Sequence, residues 1–282
     1  MIQVGRYNSL TVLRAVDFGV YLNDGDAGIL LPARFVPPGT KAGDTLRVFV
    51  YHDGEDRLIA TTQEPFGIVG DIVKLRAVSV TPQGAFMDWG LMKDIFVPKS
   101  QQLTGMRPKG EYLVKIYLDE QTGRVAATER FGNSLQNENL TVKEMEMVNL
   151  IVFRRTEIGY LMIINNQHTG VLHFNEVYRS IDVGDKFEGF IKKIYPLTDK
   201  FRGYRIDVAA GKPGYDRVED ASQKILRLLQ EHNGYLPYYD KSDPEEIYQF
   251  FGMSKKTFKM TIGNLYKERK ISFEKAGIKL TT

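Results

Sequence analysis

Hydrophobic and polar residues alternate along this chain in a frame that repeats three times before giving way to a helical period near residue 214. In the first frame, residues 11–22 alternate apolar and polar positions, break at Gly19, and are followed by the short apolar run 28–32. The second frame reads 73–78, 84–88 and 94–98, and the third 150–153, 158–163 and 170–174. Each continues into a Gly-Asp pair (Gly43-Asp44 and Gly184-Asp185, with Gly110-Glu111 in the second) and a fourth strand at 46–50, 112–118 or 187–194. Closing strands are expected at 57–61, 124–128 and 204–208. Period-two alternation punctuated by Gly, Asp and Pro is the pattern of half-buried strands, and five short strands per unit predict a small Greek-key barrel. The expected fold is therefore mostly β with a C-terminal α+β domain. Three such barrels are placed at 1–66, 67–133 and 148–213, with 134–147 as a linker.

After Gly211-Lys212-Pro213-Gly214, read as a hinge, the period becomes helical. Val218, Ala221, Ile225, Leu228 and Leu229 fall on one helix face. A second helix starts at Asp243-Pro244-Glu245-Glu246, where Asp243 caps the first turn and the glutamates suit the dipole, and buries Ile247, Phe250 and Phe251. Ser254 caps a third helix that turns Phe258, Ile262 and Leu265 inward, and a hairpin turning at Ala276-Gly277 follows. Three helices and a hairpin over 214–282 are the order of a winged helix, with a helix-turn-helix inside it.

Composition narrows the chemistry. A chain of 282 residues with 43% hydrophobic and 26% charged residues is long enough for two to four modest globular domains. No apolar run approaches the ~20 residues of a membrane span, and no basic-then-apolar leader opens the sequence, so the expectation is a cytoplasmic protein with no membrane partner. Zero cysteines exclude disulfides, thiolate metal sites and a thiol nucleophile. The four histidines, His52, His168, His173 and His232, lack metal-ligand spacing, although a turn between His168 and His173 would bring those two together. No phosphate loop or nucleophile elbow is present. Neither catalysis, a metal nor a cofactor is expected.

Net charge is only +3, but the third helix concentrates it: Lys255, Lys256, Lys259, Lys267, Arg269 and Lys270 stand against Glu268 alone. Lysines on the second helix of a helix-turn-helix neutralise phosphates without reading bases. Small barrels bind single strands with aromatic platforms beside cations. Candidates are Phe18 and Tyr21 in the first unit, Phe86 and Trp89 in the second, and Tyr160, Leu161 and His173 in the third, with Arg154, Arg155, Lys192 and Lys193 near them in sequence.

The run Gly170-Val171-Leu172-His173-Phe174-Asn175 resembles the S1 RNA-binding domain, an OB-fold. In the first two units Leu31 and Val97, each followed by Pro, are read as occupying the histidine position. Three such units followed by a winged helix resemble the conserved virulence factor B family of bacterial RNA-binding proteins. The resemblance implies RNA binding and post-transcriptional regulation, and it carries the S1 binding face onto Phe18, Tyr21, Phe86, Tyr160, Leu161 and His173. Barrel 3 and the winged helix, with Lys255, Lys256, Lys259 and Lys267, are the expected grip on single-stranded RNA. The rival readings are a scaffold that docks on the ribosome or polymerase, and a DNA-binding winged-helix regulator.

Overall fold

A computed structural model describes residues 2–177, 180–197, 203–211 and 216–281, with the side chains of Asn175 and 216–220 excepted. Barrel 1 comprises β1 (Tyr7–Val16), β2 (Gly19–Leu22), β3 (Ile29–Pro32), β4 (Thr45–His52) and β5 (Leu58–Thr61). Barrel 2 repeats it with β6 (Ile72–Val80), β7 (Gly84–Asp88), β8 (Ile95–Pro98), β9 (Glu111–Leu118) and β10 (Val125–Thr128). Barrel 3 uses β11 (Met147–Arg155), β12 (Gly159–Ile164), β13 (His168–His173), β14 (Lys186–Pro196) and β15 (Tyr204–Ala210). Each closes in the same order, 1-2-3-5-4, with the third and fifth strands parallel.

Physical reasons for the repeated glycines are the same in each barrel. The second strand begins at Gly19, Gly84 or Gly159, opposite Pro32, Pro98 or His173 on the third strand. A β-carbon there would lie 2.1 Å from the Leu31 carbonyl oxygen, 2.3 Å from that of Val97, or 2.2 Å from that of Leu172. Two strands can approach this closely only without a side chain. The register also corrects the sequence reading: His173 aligns with Pro32 and Pro98, whereas Leu31 and Val97 align with the buried Leu172.

A bulge interrupts the first strand of every barrel at the same place, after Val12, Ala77 and Val152. The loop before the fourth strand clamps that residue on both sides: Gly43, Lys109 and Gly184 donate to its carbonyl, and the carbonyls of Asp44, Gly110 and Asp185 accept from its amide. The counterpart of Gly43-Asp44 in barrel 2 is thus Lys109-Gly110 and not Gly110-Glu111. Lys109 takes the positive φ of 67° that glycine holds in the other two, a left-handed conformation costing a non-glycine residue about 1 kcal/mol.

The chain divides into two compact units, Met1–Leu135 and Gln136–Thr282. In the first, barrel 1 keeps a core of its own around Val12, Leu22, Leu31 and Val50, and a second core is shared by barrels 1 and 2: Phe49 and Tyr51 from β4 pack on Trp89, with ring centroids 5.7 and 6.2 Å from it. In the second, the stretch from Gln136 packs on barrel 3. Asn137 bonds Thr169 and Tyr204, tying β13 to β15 where their pairing ends, and Val142 joins the barrel core.

The C-terminal region has α1 (Asp216–Glu231), α2 (Pro244–Phe251), α3 (Lys255–Lys267) and a three-stranded sheet. Its hairpin, β17 (Ile271–Glu274) and β18 (Gly277–Leu280), is joined by β16 (Tyr235–Leu236), a strand too short to show an alternation. Asp243 accepts from the Glu245 amide, Ser254 from the Thr257 amide, and Gly252 ends α2 at φ 62°. Ile225, Leu229, Ile247, Phe251, Phe258, Ile262 and Leu265 form the core. The proposed hinge residues 212–214 lie outside the described residues, as does the side chain of Val218.

Candidate nucleic-acid interface

On barrel 3 the outward face of β12, β13 and β15 gathers cations and aromatic rings. His173 Nε2 lies 3.4 Å from Asp207 Oδ2, and Arg205 Nε lies 3.8 Å from Asp207 Oδ1. The Arg205 guanidinium stacks 4.5 Å above the Tyr195 ring, its cross-strand partner. Immediately after His173, where β13 ends, Phe174 meets the edge of Tyr160 at 5.5 Å and carries Arg155 over its face at 5.2 Å. Phe174 and Tyr195 are both exposed. Tyr160 leans partly on the barrel core, so Phe174 is the more available platform. Leu161 is half-buried opposite Val171, and Arg154 is exposed beside the bulge.

The sequence did not flag Phe174, Tyr195, Arg205 or Asp207. Strand alternation around Tyr204 and Ile206 identifies a closing strand, but the pairing of Arg205 with Tyr195 depends on cross-strand register, which a linear pattern does not contain.

Lys192 and Lys193 have carboxylate partners: Lys192 reaches Glu176 at 2.5 Å and Lys193 reaches Glu144 at 3.1 Å. The Glu144 carboxyl is held below the usual carboxylate range by the Ile194 amide and then by Lys193. His168 does not join His173. The expected turn between them is strand β13, where Gly170 admits the close approach of Ile164 and Ile206. His168 is buried, donating from Nδ1 to the Gln136 carbonyl and accepting at Nε2 from Thr141. Among the described residues no group of three or more His, Asp or Glu is placed to hold a metal ion.

In the first unit, Phe18 is exposed in the β1–β2 turn and lies edge-on to Tyr21 at 6.4 Å, with Arg14 over Tyr21 at 4.6 Å. Phe86 stacks on Phe96 at 4.9 Å. Trp89 is only 3% exposed; as part of the core shared by barrels 1 and 2 it cannot be an open platform.

On the winged helix, Lys256, Lys259 and Lys267 are exposed along α3 and Lys255 is half-buried in its first turn. Lys259 approaches Asp240 at 3.6 Å, and among the described residues Lys255, Lys256 and Lys267 make no ion pair. Lysines in a first turn oppose the helix dipole, and no acidic residue there offsets them. Sequence reasoning missed the next feature: Tyr266 at the end of α3 and Phe273 on the wing stack at 4.8 Å, 52% and 45% exposed. Helical spacing marks Phe258, Ile262 and Leu265 as inward and leaves Tyr266 unassigned; its partner lies across the turn into the wing.

Residues 4–63 match the S1 domain model and residues 223–280 the CvfB-like winged helix domain. Conserved virulence factor B of Staphylococcus epidermidis is 29% identical over 253 residues, covering 85% of this chain and 80% of that protein. The Staphylococcus aureus protein of the same name is 28% identical over 263 residues, with 86% and 81% covered. A crystal structure titled as a multidomain protein with nucleic acid binding domains from Streptococcus pneumoniae aligns over 98% of both chains, at 21% identity and a TM-score of 0.43. No described helix is long and apolar enough to cross a membrane.

Proposed function

We propose that this chain, which is similar in sequence and domain order to the conserved virulence factor B family, is a non-catalytic RNA-binding protein that acts in post-transcriptional regulation. Barrel 3 and the winged helix, which lie in one compact unit, grip a single strand. The observation that carries this reading is the barrel 3 face. Phe174 and Tyr195 each present a ring with a guanidinium against it, and His173 lies between β12 and β15. Such pairs stack bases of any identity while neighbouring cations hold phosphates.

The winged helix supports the same reading in two ways. Lys255 and Lys256 place positive charge where the helix dipole already favours an anion. The Tyr266–Phe273 pair offers a further stacking surface. The lysines neutralise phosphates and outnumber base-reading side chains on α3, where Asn264 is the single Asn, Gln or Arg. This favours affinity over sequence readout and counts against specific duplex DNA recognition.

The test is a titration of the full chain with labelled single-stranded RNA over a salt series. Binding should weaken with a log-log slope of about −0.7 per neutralised phosphate. Lys255→Glu combined with Lys259→Glu should weaken it more than Phe18→Ala. Absent or salt-independent binding would overturn the proposal, and the reverse order of the variants would move the grip to barrel 1. Partners that survive nuclease treatment in a pull-down would favour a protein scaffold instead.

A further inference from the structure

Between barrels 1 and 2, within the first unit, lies a cleft of about 420 Å³, a volume within the usual range of small-ligand sites. Its apolar lining is aromatic: the Phe86–Phe96 pair on barrel 2, and Trp89 with Tyr51 at 6.2 Å across the shared core.

Most of its polar groups are already engaged. Lys93 Nζ donates to the carbonyls of His52 at 3.0 Å and Asp53 at 2.6 Å. Asp119 accepts from Thr122. Arg124 grips Asp56 through Nε at 2.6 Å and Nη2 at 2.7 Å, leaving Nη1 outside that bridge.

Two groups differ. The Asp94 carboxylate meets no hydrogen-bond donor or cation among the described residues, and burial, followed by the nearby Asp88, raises its pKa. His52 Nδ1 is buried without a partner. A buried polar atom left unpaired, as His52 Nδ1 is, costs free energy that a ligand with a matching group restores, and the half-buried Asp94 carboxylate is open to accept from one.

We propose that this cleft is a receptor for one unstacked nucleobase of a single strand, with guanine preferred. The ring lies against Phe86 and Phe96, its N–H edge faces Asp94, and its phosphate meets Arg124. Base preference follows from hydrogen-bond chemistry. Guanine presents adjacent N1–H and N2–H₂ donors that match the two oxygens of a carboxylate. Adenine and cytosine present the amine beside an acceptor nitrogen. The N3–H of uracil is flanked by two carbonyl oxygens that repel Asp94. The site lies in a different unit from the grip proposed above and depends on that reading only in taking nucleic acid as the source of the base.

The protein carries its own reporter, because Trp89 is the single tryptophan of the chain. The four nucleoside 5′-monophosphates and a G-containing single-stranded RNA are titrated into the full chain while tryptophan emission is followed, with labelled-RNA binding measured on the same sample. The expected result is a saturable change with guanosine monophosphate tightest and uridine monophosphate weakest. Asp94→Asn should weaken guanosine monophosphate about tenfold, the loss of one charge-assisted hydrogen bond, and should not weaken uridine monophosphate, whose carbonyls no longer face a carboxylate. Phe96→Leu, which keeps an apolar side chain, should weaken all four. A tighter response to the oligonucleotide identifies a base within a strand as the natural occupant, and a tighter response to the free mononucleotide overturns that part. No saturable change up to millimolar mononucleotide, or an Asp94→Asn variant with unaltered base ranking, overturns the cleft even if labelled RNA binds.

Discussion

Phe49→Ala should destabilise two barrels, although the residue belongs to one. The Phe49 ring is wholly buried, and its edge-to-face partners are Tyr7 at 5.7 Å in barrel 1 and Trp89 at 5.7 Å in barrel 2. Truncating a buried Phe to Ala costs about 3–5 kcal/mol, from lost transfer free energy and an unfilled cavity. Domains of this size have urea m-values of about 1–3 kcal/mol/M, so the midpoint should fall by about 2 M. That loss is a large part of the roughly 5–15 kcal/mol that holds a typical domain folded. The assay is urea unfolding followed by the emission of Trp89, which sits in barrel 2 and therefore reports damage done in barrel 1. Phe18→Ala, an exposed ring in the same barrel, is the control and should move the midpoint by less than about 0.5 M. A Phe49→Ala midpoint within that margin, or a Trp89 transition that stays in place while other signals shift, would refute a shared core.

Gly84→Ala should destabilise the first unit by at least about 2 kcal/mol, because the new β-carbon meets the Val97 carbonyl oxygen at 2.3 Å and backbone cannot swing aside as a side chain does; thermal unfolding measures it. Glu144→Gln removes the partner of Lys193 while leaving an oxygen to accept from Ile194, so RNA affinity should rise and the salt slope should steepen by about 0.7. Burial keeps the pKa of His52 below its ordinary value of 6.5. The unfolded chain therefore takes up the proton first, and the His52 contribution is present above pH 6.5 and lost as pH falls through that value toward the folded pKa. Comparing the pH dependence of stability with that of His52→Gln isolates it, and identical acid limbs would contradict it.

Much of the fold is legible in the sequence because its signals are local. Strand alternation, the Gly at the head of each second strand, and the caps Asp243 and Ser254 each act within a few residues of themselves, and they lead to the observed elements. Register is different. The alignment of His173 with Pro32 and Pro98, and the clamp by Lys109-Gly110, depend on which residue lies across a strand pair, and a shift of one position leaves the alternation looking almost the same. The candidate site follows the same division. Exposed Phe18 and the α3 lysines are visible from helical and turn positions. The Arg205–Tyr195 and Tyr266–Phe273 contacts join residues that only the folded chain makes neighbours. Trp89 shows the limit from the other side: an aromatic beside a strand end reads as a binding platform until a second barrel is found covering it.

The contact between each opening glycine and the carbonyl of the third strand involves no side chain on either side. It therefore places no demand on the character of the surface around it. A barrel that lends its wall to a neighbour, the barrel that receives it and a barrel lined with arginine and tyrosine can all be written on one frame, provided a single atom is never added at one position. The threefold repeat is thus recorded in its smallest residues, and its larger ones are left at liberty to differ.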